Sequence, residues 1–417
     1  MKLNGYDKFY YTLHKYVLTC IGLWPYQSRM SKRFFFITYG ISSCSLIIAL
    51  IAGLSEKWST DPVIILENML GIIFLTSSTA ESSILYMHES KIIEFYDKIK
   101  TDWKKLTNKK EIEILQMHTR KGQFVSTAYI LYGIPAFAIF GFVTFLPPIL
   151  DPPSRVEYSH IFPYYFYCMI INEDFRYYQI VLHCMVSFSY ASVSYLAVNC
   201  TFAKCVNHVC GIYAIICYRL QNAIEPTVVR GPFNKLKNSK LIRFNLIDVI
   251  AKHREVIHGV DMIEQIFSTG FLVIEIAGFS GIALVIADIL YNQKNAYQLF
   301  RIMVVTAIFL VYIFYINWMG EQIIQVSDDV RLTAYFIDWF TLSIEAQEII
   351  HMIVWRSCKT NKLTAGSFVA LSLENFLSML KTSWSVATVL LSAHRSQKNA
   401  HFTGYGITNS FTNSSST

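Results

Sequence analysis

The sequence predicts an all-α integral membrane protein with seven transmembrane helices, a cytoplasmic N-terminus and an extracellular C-terminus. Two compositional observations predict this class: 53% of the 417 residues are hydrophobic, and only 16% are charged, where soluble domains have about 25%. A third is the presence of apolar runs long enough to cross a bilayer. The mean hydropathy of +0.37 agrees. The same composition excludes a disordered chain or a disulfide-stapled secreted module.

Each predicted span is a run of about 20 predominantly apolar residues. The seven runs cover residues 34–54, 63–86, 124–146, 178–203, 267–290, 300–319 and, more weakly, 373–393. We expect no signal peptide, because the first 33 residues lack a short apolar core followed by a small-residue cleavage site. The first span is therefore expected to insert itself.

The Lys and Arg residues predict the orientation of these spans. Of the 36, 28 lie in the N-terminal segment and in the connections 88–122, 204–266 and 321–367. Basic residues in short loops stay cytoplasmic, so these segments are predicted inside. The net charge of +7 then reflects topology and not nucleic-acid binding. A sequon at Asn413 fits an outer tail, but it also fits a chance match in a Ser-rich terminus.

The connection after the second span has one apolar face. Its apolar residues recur at alternating steps of four and three, at Ile92, Tyr96, Ile99, Trp103 and Leu106. This pattern predicts that the second span continues as an amphipathic helix packed on its neighbours. A helix lying on the inner leaflet has the same pattern, and the sequence leaves both open.

Few ionisable side chains fall within the predicted spans. Glu67 and Glu81 lie near opposite ends of the second span, where we expect them to reach a head group or the interface. Glu275 lies deeper and requires a hydrogen-bonding partner or a watery cavity. His183 is expected to be a hydrogen-bonded structural histidine.

Signatures of catalysis and of metal binding are missing from the sequence. There is no Gly-rich phosphate loop, no nucleophile elbow and no His-Glu-x-x-His helix, so neither an enzyme nor a cofactor is predicted. Cys200, Cys205, Cys210 and Cys217 form no CxxC pair and are expected to pack in the core. A transporter is disfavoured because no inverted repeat with broken helices is visible.

The seventh span carries a stripe of small hydroxyl side chains. Helical spacing places Ser378, Thr382, Ser385, Val389 and Ser392 on one face. Several copies around an axis would form a hydrated conduit with one apolar constriction at Val389. Close helix packing through small residues has the same signature, and both interpretations stay open.

Short motifs at both ends of the chain resemble the insect odorant receptors. Near the N-terminus the motif is Gly22-Leu23-Trp24-Pro25, and the specific part lies between residues 320 and 393. There the order is Gly320-Glu321-Gln322, Tyr335-x3-Trp339, Arg356-Ser357, Thr364-Ala365-Gly366, Leu371-Ser372-Leu373-Glu374-Asn375-Phe376 and Leu380-Lys381-Thr382-Ser383.

The resemblance implies a ligand-gated, non-selective cation channel that detects a volatile odorant. It implies a tetramer formed with a shared co-receptor subunit in the plasma membrane of a sensory dendrite. The chain then divides into a cytoplasmic segment 1–33, six spans with an outer pocket 34–320, a cytoplasmic anchor region 321–367, a pore helix 368–393 and an extracellular tail 394–417.

The resemblance also implies roles for particular residues. The odorant pocket would lie in the outer halves of the second, third, fourth and sixth spans, at Met69, Ile73, Phe137, Phe140, Thr144, His183, Ser187, Tyr190, Met303 and Thr306. The pore would be lined by Ser385, Val389, Ser392 and Ala393, with gate positions at Val389 and at Ala393, whose small side chain departs from the family pattern. Subunit contacts would involve Tyr335, Trp339, Gly366 and Phe376.

Three other receptor types compete with this interpretation. A gustatory receptor of the same superfamily would assemble without the co-receptor, but its C-terminal Thr-Tyr to Gln-Phe motif is absent. A G-protein-coupled receptor would have the opposite orientation, and its Asp-Arg-Tyr and Asn-Pro-x-x-Tyr motifs are missing. The co-receptor itself resembles a longer chain with an extended second cytoplasmic loop.

Overall fold

A computed structural model of the protein describes residues 14–57, 62–150, 173–224, 232–291, 296–389 and 392. This part of the chain is almost entirely helical, and it contains six helices long and apolar enough to cross a membrane. They coincide with the first six predicted spans. The seventh predicted span falls on a helix described over residues 373–389. The predicted fold class is confirmed, while the inside–outside orientation stays a prediction.

The described helices follow one another along the chain. They are α1 (14–20), α2 (Arg29–Lys57), α3 (Pro62–Met87), α4 (Glu89–Lys105), α5 (Lys109–Leu150), α6 (Glu173–Asn222), α7 (Pro232–Tyr291), α8 (Ala296–Phe336), α9 (Ile344–Ser357) and α10 (373–389). Between α9 and α10 lies a small antiparallel hairpin, with β1 at Thr364–Ala365 and β2 at Val369–Ala370.

Helices α5 to α8 are much longer than the spans predicted inside them. The fifth predicted span covers residues 267–290, whereas α7 begins at Pro232. A hydropathy scan detects only the lipid-length apolar part of a helix, and the remainder of these helices contains many charged residues. The helices therefore project beyond the membrane at the end predicted to be cytoplasmic.

Helix α4 packs inside this projecting bundle. Hydrogen bonds from His88 N to the Ile84 carbonyl (3.1 Å) and from Ile92 N to the His88 carbonyl (3.1 Å) continue helically from α3 into α4. Ile92, Phe95 and Tyr96 are buried among protein side chains. Of the two interpretations of this amphipathic segment, the structure shows the packed helix.

The N-terminal Gly-Leu-Trp-Pro motif ends α1 and joins it to the bundle. Gly22 has a φ of +71°, and Leu23 N donates to the Leu18 carbonyl at 2.8 Å, which is the pattern of a left-handed helix cap. A Cβ at Gly22 would lie 2.4 Å from the Lys32 carbonyl oxygen. Leu23 and Trp24 are consequently held in the core.

The largest hydrophobic core lies at the predicted cytoplasmic end. It joins α4, the second half of α6, the middle of α7 and the second half of α8. At the opposite end the described residues form smaller apolar clusters, such as the one of Leu70, Val285 and Ile302. This uneven packing leaves cavities between the helices at the predicted outer end.

Candidate ligand-binding site

Three adjoining cavities lie between α3, α5, α6, α7 and α8. The inner cavity, of about 440 Å³, has walls that include Phe74, Tyr129, Phe137, Tyr195, Phe309 and Tyr312. The middle cavity, of about 410 Å³, shares Phe74, Phe137, Ile308 and Phe309 with it and adds Leu70, Phe140 and Phe188. The outer chamber, of about 360 Å³, shares Leu70, Phe140 and Val305 with the middle cavity.

Residues one helical turn apart line the same cavity. Leu70 and Phe74 lie one turn apart on α3, and Val305 and Phe309 lie one turn apart on α8. The ring of Phe74 packs against Phe137 of α5 at 6.0 Å and against Phe188 of α6 at 5.8 Å between centroids. Four helices thus supply aromatic walls, which bind apolar molecules by dispersion and exclusion of water.

The floor of the inner cavity is formed by two tyrosines with their hydroxyls engaged. The rings of Tyr195 and Tyr312 meet edge to face at 4.7 Å. The Tyr195 and Ser77 hydroxyls share a hydrogen bond of 2.5 Å, and the Tyr312 hydroxyl donates to Glu81 Oε2 at 3.1 Å. The floor is therefore rigid, with polar groups directed away from the apolar space.

A family model described as 7tm Odorant receptor matches residues 61–384, which is most of the chain. The chain belongs to the insect odorant receptor family. It is a multi-pass membrane receptor of olfaction, in a class of ligand-binding proteins and not of enzymes.

Two solved structures share the fold of this odorant receptor. One is the insect olfactory receptor OR5 from Machilis hrabei in complex with eugenol, with a TM-score of 0.76 and 10% identity. The other is a second structure of the insect olfactory receptor OR5 from Machilis hrabei, with a TM-score of 0.72 and 11% identity. Each match covers 94% of this chain and 100% of the other. At this identity the likeness concerns the fold.

The structure brings two of the ten expected pocket residues together, Phe137 and Phe140, both in cavity walls. Eight do not line the cavities among the described side chains. They are Met69, Ile73, His183, Ser187, Tyr190, Met303 and Thr306, together with Thr144, whose side chain lies outside the described part.

Several of the expected residues lie on other faces of their helices. His183 and Ser187 face α2, where they hydrogen-bond with Ser45 (3.1 Å) and Ser42 (2.7 Å). Met303 is exposed on the surface of α8. The cavity walls instead include Phe74, Phe188 and Phe309, which no sequence pattern singled out, and the expected odorant pocket stays a prediction.

The expectation that Glu67 and Glu81 reach an interface is wrong. Glu67 is buried and pairs with Arg301, whose Nη2 donates to Glu67 Oε1, and Glu81 is buried beneath Tyr312. Both partners, Arg301 and Tyr312, lie on α8, more than 200 residues away along the chain, so a scan of one helix cannot detect these pairings.

Glu275 has the partners that its depth required. Its two carboxylate oxygens accept hydrogen bonds from Asn317 Nδ2 (2.9 Å) and Asn375 Nδ2 (3.2 Å). Asn375 Nδ2 also donates to Asn317 Oδ1 at 3.0 Å. This cluster connects α7, α8 and α10 within the receptor.

The beginning of α10 is held on α8 by the C-terminal motifs. Ser372 N donates to Asn317 Oδ1 at 3.2 Å, and Leu373 N donates to Glu321 Oε2 at 3.2 Å. Backbone amides at a helix N-terminus have no acceptor within their own helix, and acidic acceptors are favourable there. The motif at Gly320-Glu321 and the motif at Leu371–Phe376 are therefore two sides of one contact.

The hydroxyl stripe of α10 faces away from its own chain. Ser378, Thr382, Ser385, Val389 and Ser392 are exposed, with Val389 at 62%. The opposite face is buried, since Ser383 Oγ donates to the Phe279 carbonyl at 3.2 Å and Ala387 is fully covered. Lys381 is also exposed. Ala393 lies outside the described residues.

The four expected contact residues have different environments. Tyr335 is exposed and Trp339 is half-buried against His351, with centroids 5.5 Å apart. Phe376 packs edge to face on Phe314 at 5.5 Å. Gly366 has a φ of +61°, and its N–H donates to the Ser268 carbonyl of α7 at 2.9 Å, so it fixes the hairpin on its own chain.

Of the four cysteines expected in the core, Cys200, Cys205 and Cys210 are buried and Cys217 is half-buried. In the part of the chain that the structure describes, no group of three His, Cys, Asp or Glu side chains could hold a metal ion.

Proposed function

We propose that this receptor is an odorant-tuning subunit of a ligand-gated, non-selective cation channel in the plasma membrane, assembled with the family's co-receptor. The observation that carries the proposal is the pair of adjoining apolar cavities enclosed by α3, α5, α6 and α8. These are the four spans in which the resemblance to the family places the odorant pocket.

The cavities suit a small volatile molecule. The walls of the middle cavity are mostly phenylalanine and branched aliphatic side chains, and those of the inner cavity add four tyrosines, a predominantly apolar and aromatic lining of the kind that small-molecule sites have. The Ser192 hydroxyl in the middle cavity already donates to the Phe188 carbonyl at 2.7 Å. Selectivity in the apolar part then depends on shape, where one methylene contributes about 1–3 kcal/mol.

The pore is assigned to the exposed stripe of α10. Copies of this face around an axis would line a conduit with hydroxyls and place Val389 at a constriction. The buried opposite face holds α10 on α7 through Ser383 and Met379. A helix with one face fixed and one face polar is what a pore-lining position requires.

Helix α8 connects the two regions. It carries Tyr312 at the cavity floor and, five residues later, Asn317 in the cluster that holds the start of α10. A ligand that favours one position of α8 would therefore favour one position of α10. In this mechanism odorant binding shifts a pre-existing closed–open equilibrium by its differential affinity for the two states.

The test is whole-cell current under a broad volatile panel, with this chain expressed alone, with the co-receptor, and with neither. We expect rapid current, independent of G-protein inhibitors, only in co-expressing cells. Current from this chain alone would instead indicate a gustatory-type homomer. Normal surface expression without current to any volatile would contradict the proposal.

A pair of variants on α5 tests the cavity itself. Phe137→Ala enlarges the inner and middle cavities, and we expect the half-maximal concentration of an active odorant to change about tenfold, since a buried aromatic ring contributes roughly 1.5–3 kcal/mol. Phe142→Ala makes the same change five residues away at an exposed position and should leave the response unaltered. Equal effects of the two variants would exclude these cavities as the site.

A further inference from the structure

The tyrosines of the inner cavity differ in how their hydroxyls are used. The Tyr195 hydroxyl donates to the Phe74 carbonyl at 3.2 Å, and the Tyr312 hydroxyl donates to Glu81. Apart from two tyrosines of α5, the other described side chains that line this cavity are apolar. A ligand that requires a hydrogen bond here therefore depends on the two tyrosines of α5.

Tyr129 of α5 carries a buried hydroxyl that is still available. The residue lines the inner cavity and is 8% exposed. Its hydroxyl forms no hydrogen bond to any described residue, and it is not fully enclosed by protein atoms. The open space beside it is the cavity that Tyr129 lines. Because a buried donor without a partner is unfavourable, a ligand oxygen that accepts from it adds a hydrogen bond without breaking one.

Packing holds the Tyr129 ring in place. The ring stacks on Tyr315 of α8, with centroids 4.2 Å apart and planes 18° apart. One turn further along α5, a Cβ at Gly133 would lie 2.5 Å from Leu196 Cδ2, so α5 and α6 are in close contact here. The ring cannot turn toward another acceptor without losing its stack, which is itself favourable. The hydroxyl is therefore presented at a fixed point of the cavity wall.

Tyr132 is the other tyrosine of α5 in this wall. It follows Tyr129 by three residues, and its hydroxyl also forms no hydrogen bond to a described residue. Tyr132 is 37% exposed, whereas Tyr129 is buried. A hydrogen bond is stronger where water is excluded, so the buried hydroxyl contributes more to ligand selection.

The chemistry of the cavity favours a ligand oxygen that brings no proton of its own. A carbonyl or ether oxygen accepts from Tyr129 and leaves no group of the ligand unpaired. A ligand hydroxyl brings a second donor, so the pair then has two protons for one hydrogen bond. The remaining lining offers the second proton only apolar side chains and tyrosines. The matching ligands are ketones, aldehydes, esters and ethers.

We propose that Tyr129 is a specificity-determining residue of the odorant site, whose hydroxyl donates a hydrogen bond to the carbonyl or ether oxygen of a ligand with an apolar body. The apolar body lies against the aromatic walls that the inner and middle cavities share. This inference rests on the proposed function, because it takes the inner cavity as part of the odorant site.

The experiment uses three probes of nearly equal size that share a phenethyl group: benzylacetone, its secondary alcohol, and isopentylbenzene, a hydrocarbon of the same shape. Dose–response curves are recorded from the channel co-expressed with the co-receptor. The thermal stabilisation of the purified complex by each probe is a readout independent of gating. The deciding quantity is the change that a variant causes for one probe, because the tendency of that probe to leave water then cancels.

Tyr129→Phe removes the hydroxyl and keeps the stacked ring. We expect the half-maximal concentration of benzylacetone to rise about fivefold, as the loss of one uncharged hydrogen bond implies, while that of isopentylbenzene stays the same. Tyr132→Phe should shift benzylacetone less. Tyr16→Phe, the same change at an exposed position on α1, is the control. In the wild type the ketone should act at a lower concentration than the alcohol, which tests the assignment without any variant.

Several outcomes would overturn the inference. An equal shift of ketone and hydrocarbon in Tyr129→Phe would indicate a structural role for the hydroxyl. A larger shift of the ketone in Tyr132→Phe would assign the donor to that residue, and a wild-type preference for the alcohol would reject the ligand class. Failure of all three probes at a receptor that responds to other volatiles would reject the inference and keep the proposed function. Failure to respond to or bind any volatile would reject both.

Discussion

At the scale of single residues, a few positions determine how closely the helices approach. Gly320 of α8 is the clearest, because a Cβ there would lie 2.4 Å from the Leu371 carbonyl oxygen. That oxygen belongs to the backbone immediately before α10, so it cannot swing aside as a side chain could. The absence of a side chain at residue 320 allows α8 to hold the start of α10.

We predict that Gly320→Ala disrupts this junction and lowers the free energy of unfolding by about 1–3 kcal/mol, the usual cost of overpacking. The thermal unfolding temperature in detergent and the surface expression should both fall. Gly40→Ala is the matched control, since nothing lies within 4 Å of its Cβ position and alanine is the better helix former. A Gly320→Ala protein as stable as Gly40→Ala would refute the close contact.

At the scale of elements, charged networks fasten the projecting helices to one another. Asp102 of α4 is buried, and it accepts hydrogen bonds from His208 Nε2 of α6 (2.9 Å) and Lys252 Nζ of α7 (3.0 Å). Burial opposes ionisation of Asp102, but the hydrogen bond from His208 and the charges of Lys252 and Lys98 outweigh it and hold the pKa of this carboxyl well below its usual range. One side chain thus joins three helices.

The lowered pKa predicts a direction of pH dependence. A carboxyl group with a lower pKa in the folded state stabilises the fold above its unfolded-state pKa of about 3.9, and that contribution is lost as the pH falls through the folded-state pKa. We expect the unfolding temperature in detergent to decline below about pH 4 in the wild type. Asp102→Asn should be less stable at neutral pH, by roughly 3–5 kcal/mol, and should lack this part of the decline.

The control for this prediction lies on the same helix. Asp97 is exposed and pairs with Lys100 in solvent, so Asp97→Asn should alter the unfolding temperature little. Identical acid profiles for Asp102→Asn and the wild type would show that Asp102 is not the group responsible.

The two faces of α10 give a further prediction at this scale. Ser385→Cys places a thiol on the exposed stripe, and Ser383→Cys places one on the face packed against α7. If the stripe lines the pore, a charged thiol reagent should reduce current only in Ser385→Cys, and more rapidly when odorant opens the channel. Modification of both positions at equal rates, or of neither, would argue against the assigned face.

At the scale of the whole molecule, the segment predicted to be the anchor region, residues 321–367, exposes several large apolar side chains. They include Phe336, Phe340, Ile344 and Trp355, with Trp355 at 81%. Extended apolar surface of this kind marks interaction sites. It lies in the segment that the family resemblance assigns to subunit contact.

We predict that Trp355→Ala weakens assembly with the co-receptor without unfolding the subunit. Aromatic residues dominate the energy of interfaces, and truncating one commonly costs more than 2 kcal/mol, or about thirtyfold in affinity. Native gel migration should shift toward smaller species while the helical content stays constant. Glu345→Ala, at another exposed position of α9, should assemble normally. Intact assembly of Trp355→Ala would place the contact elsewhere.

Much of the architecture could be read along the chain because it depends on period and composition. The first six spans, the packed face of α4 and the stripe of α10 all repeat within one helix. The residues that line the cavities were harder to predict from the sequence. His183 and Ser187 have the polar character expected of ligand contacts, yet they face α2, and the aromatic walls at Phe74 and Phe309 carry no mark that separates them from other core residues.

Length, apolarity and motif order are properties of the chain, so they are sufficient to predict a helical membrane receptor. Which helix faces meet depends on the folded molecule. Glu67 and Arg301 form a pair although they are 234 residues apart in the sequence. Glu275 likewise accepts hydrogen bonds from Asn317 and Asn375, which lie on two other helices. The rotation of each helix is set by packing against its neighbours, and no pattern within a single helix contains that information.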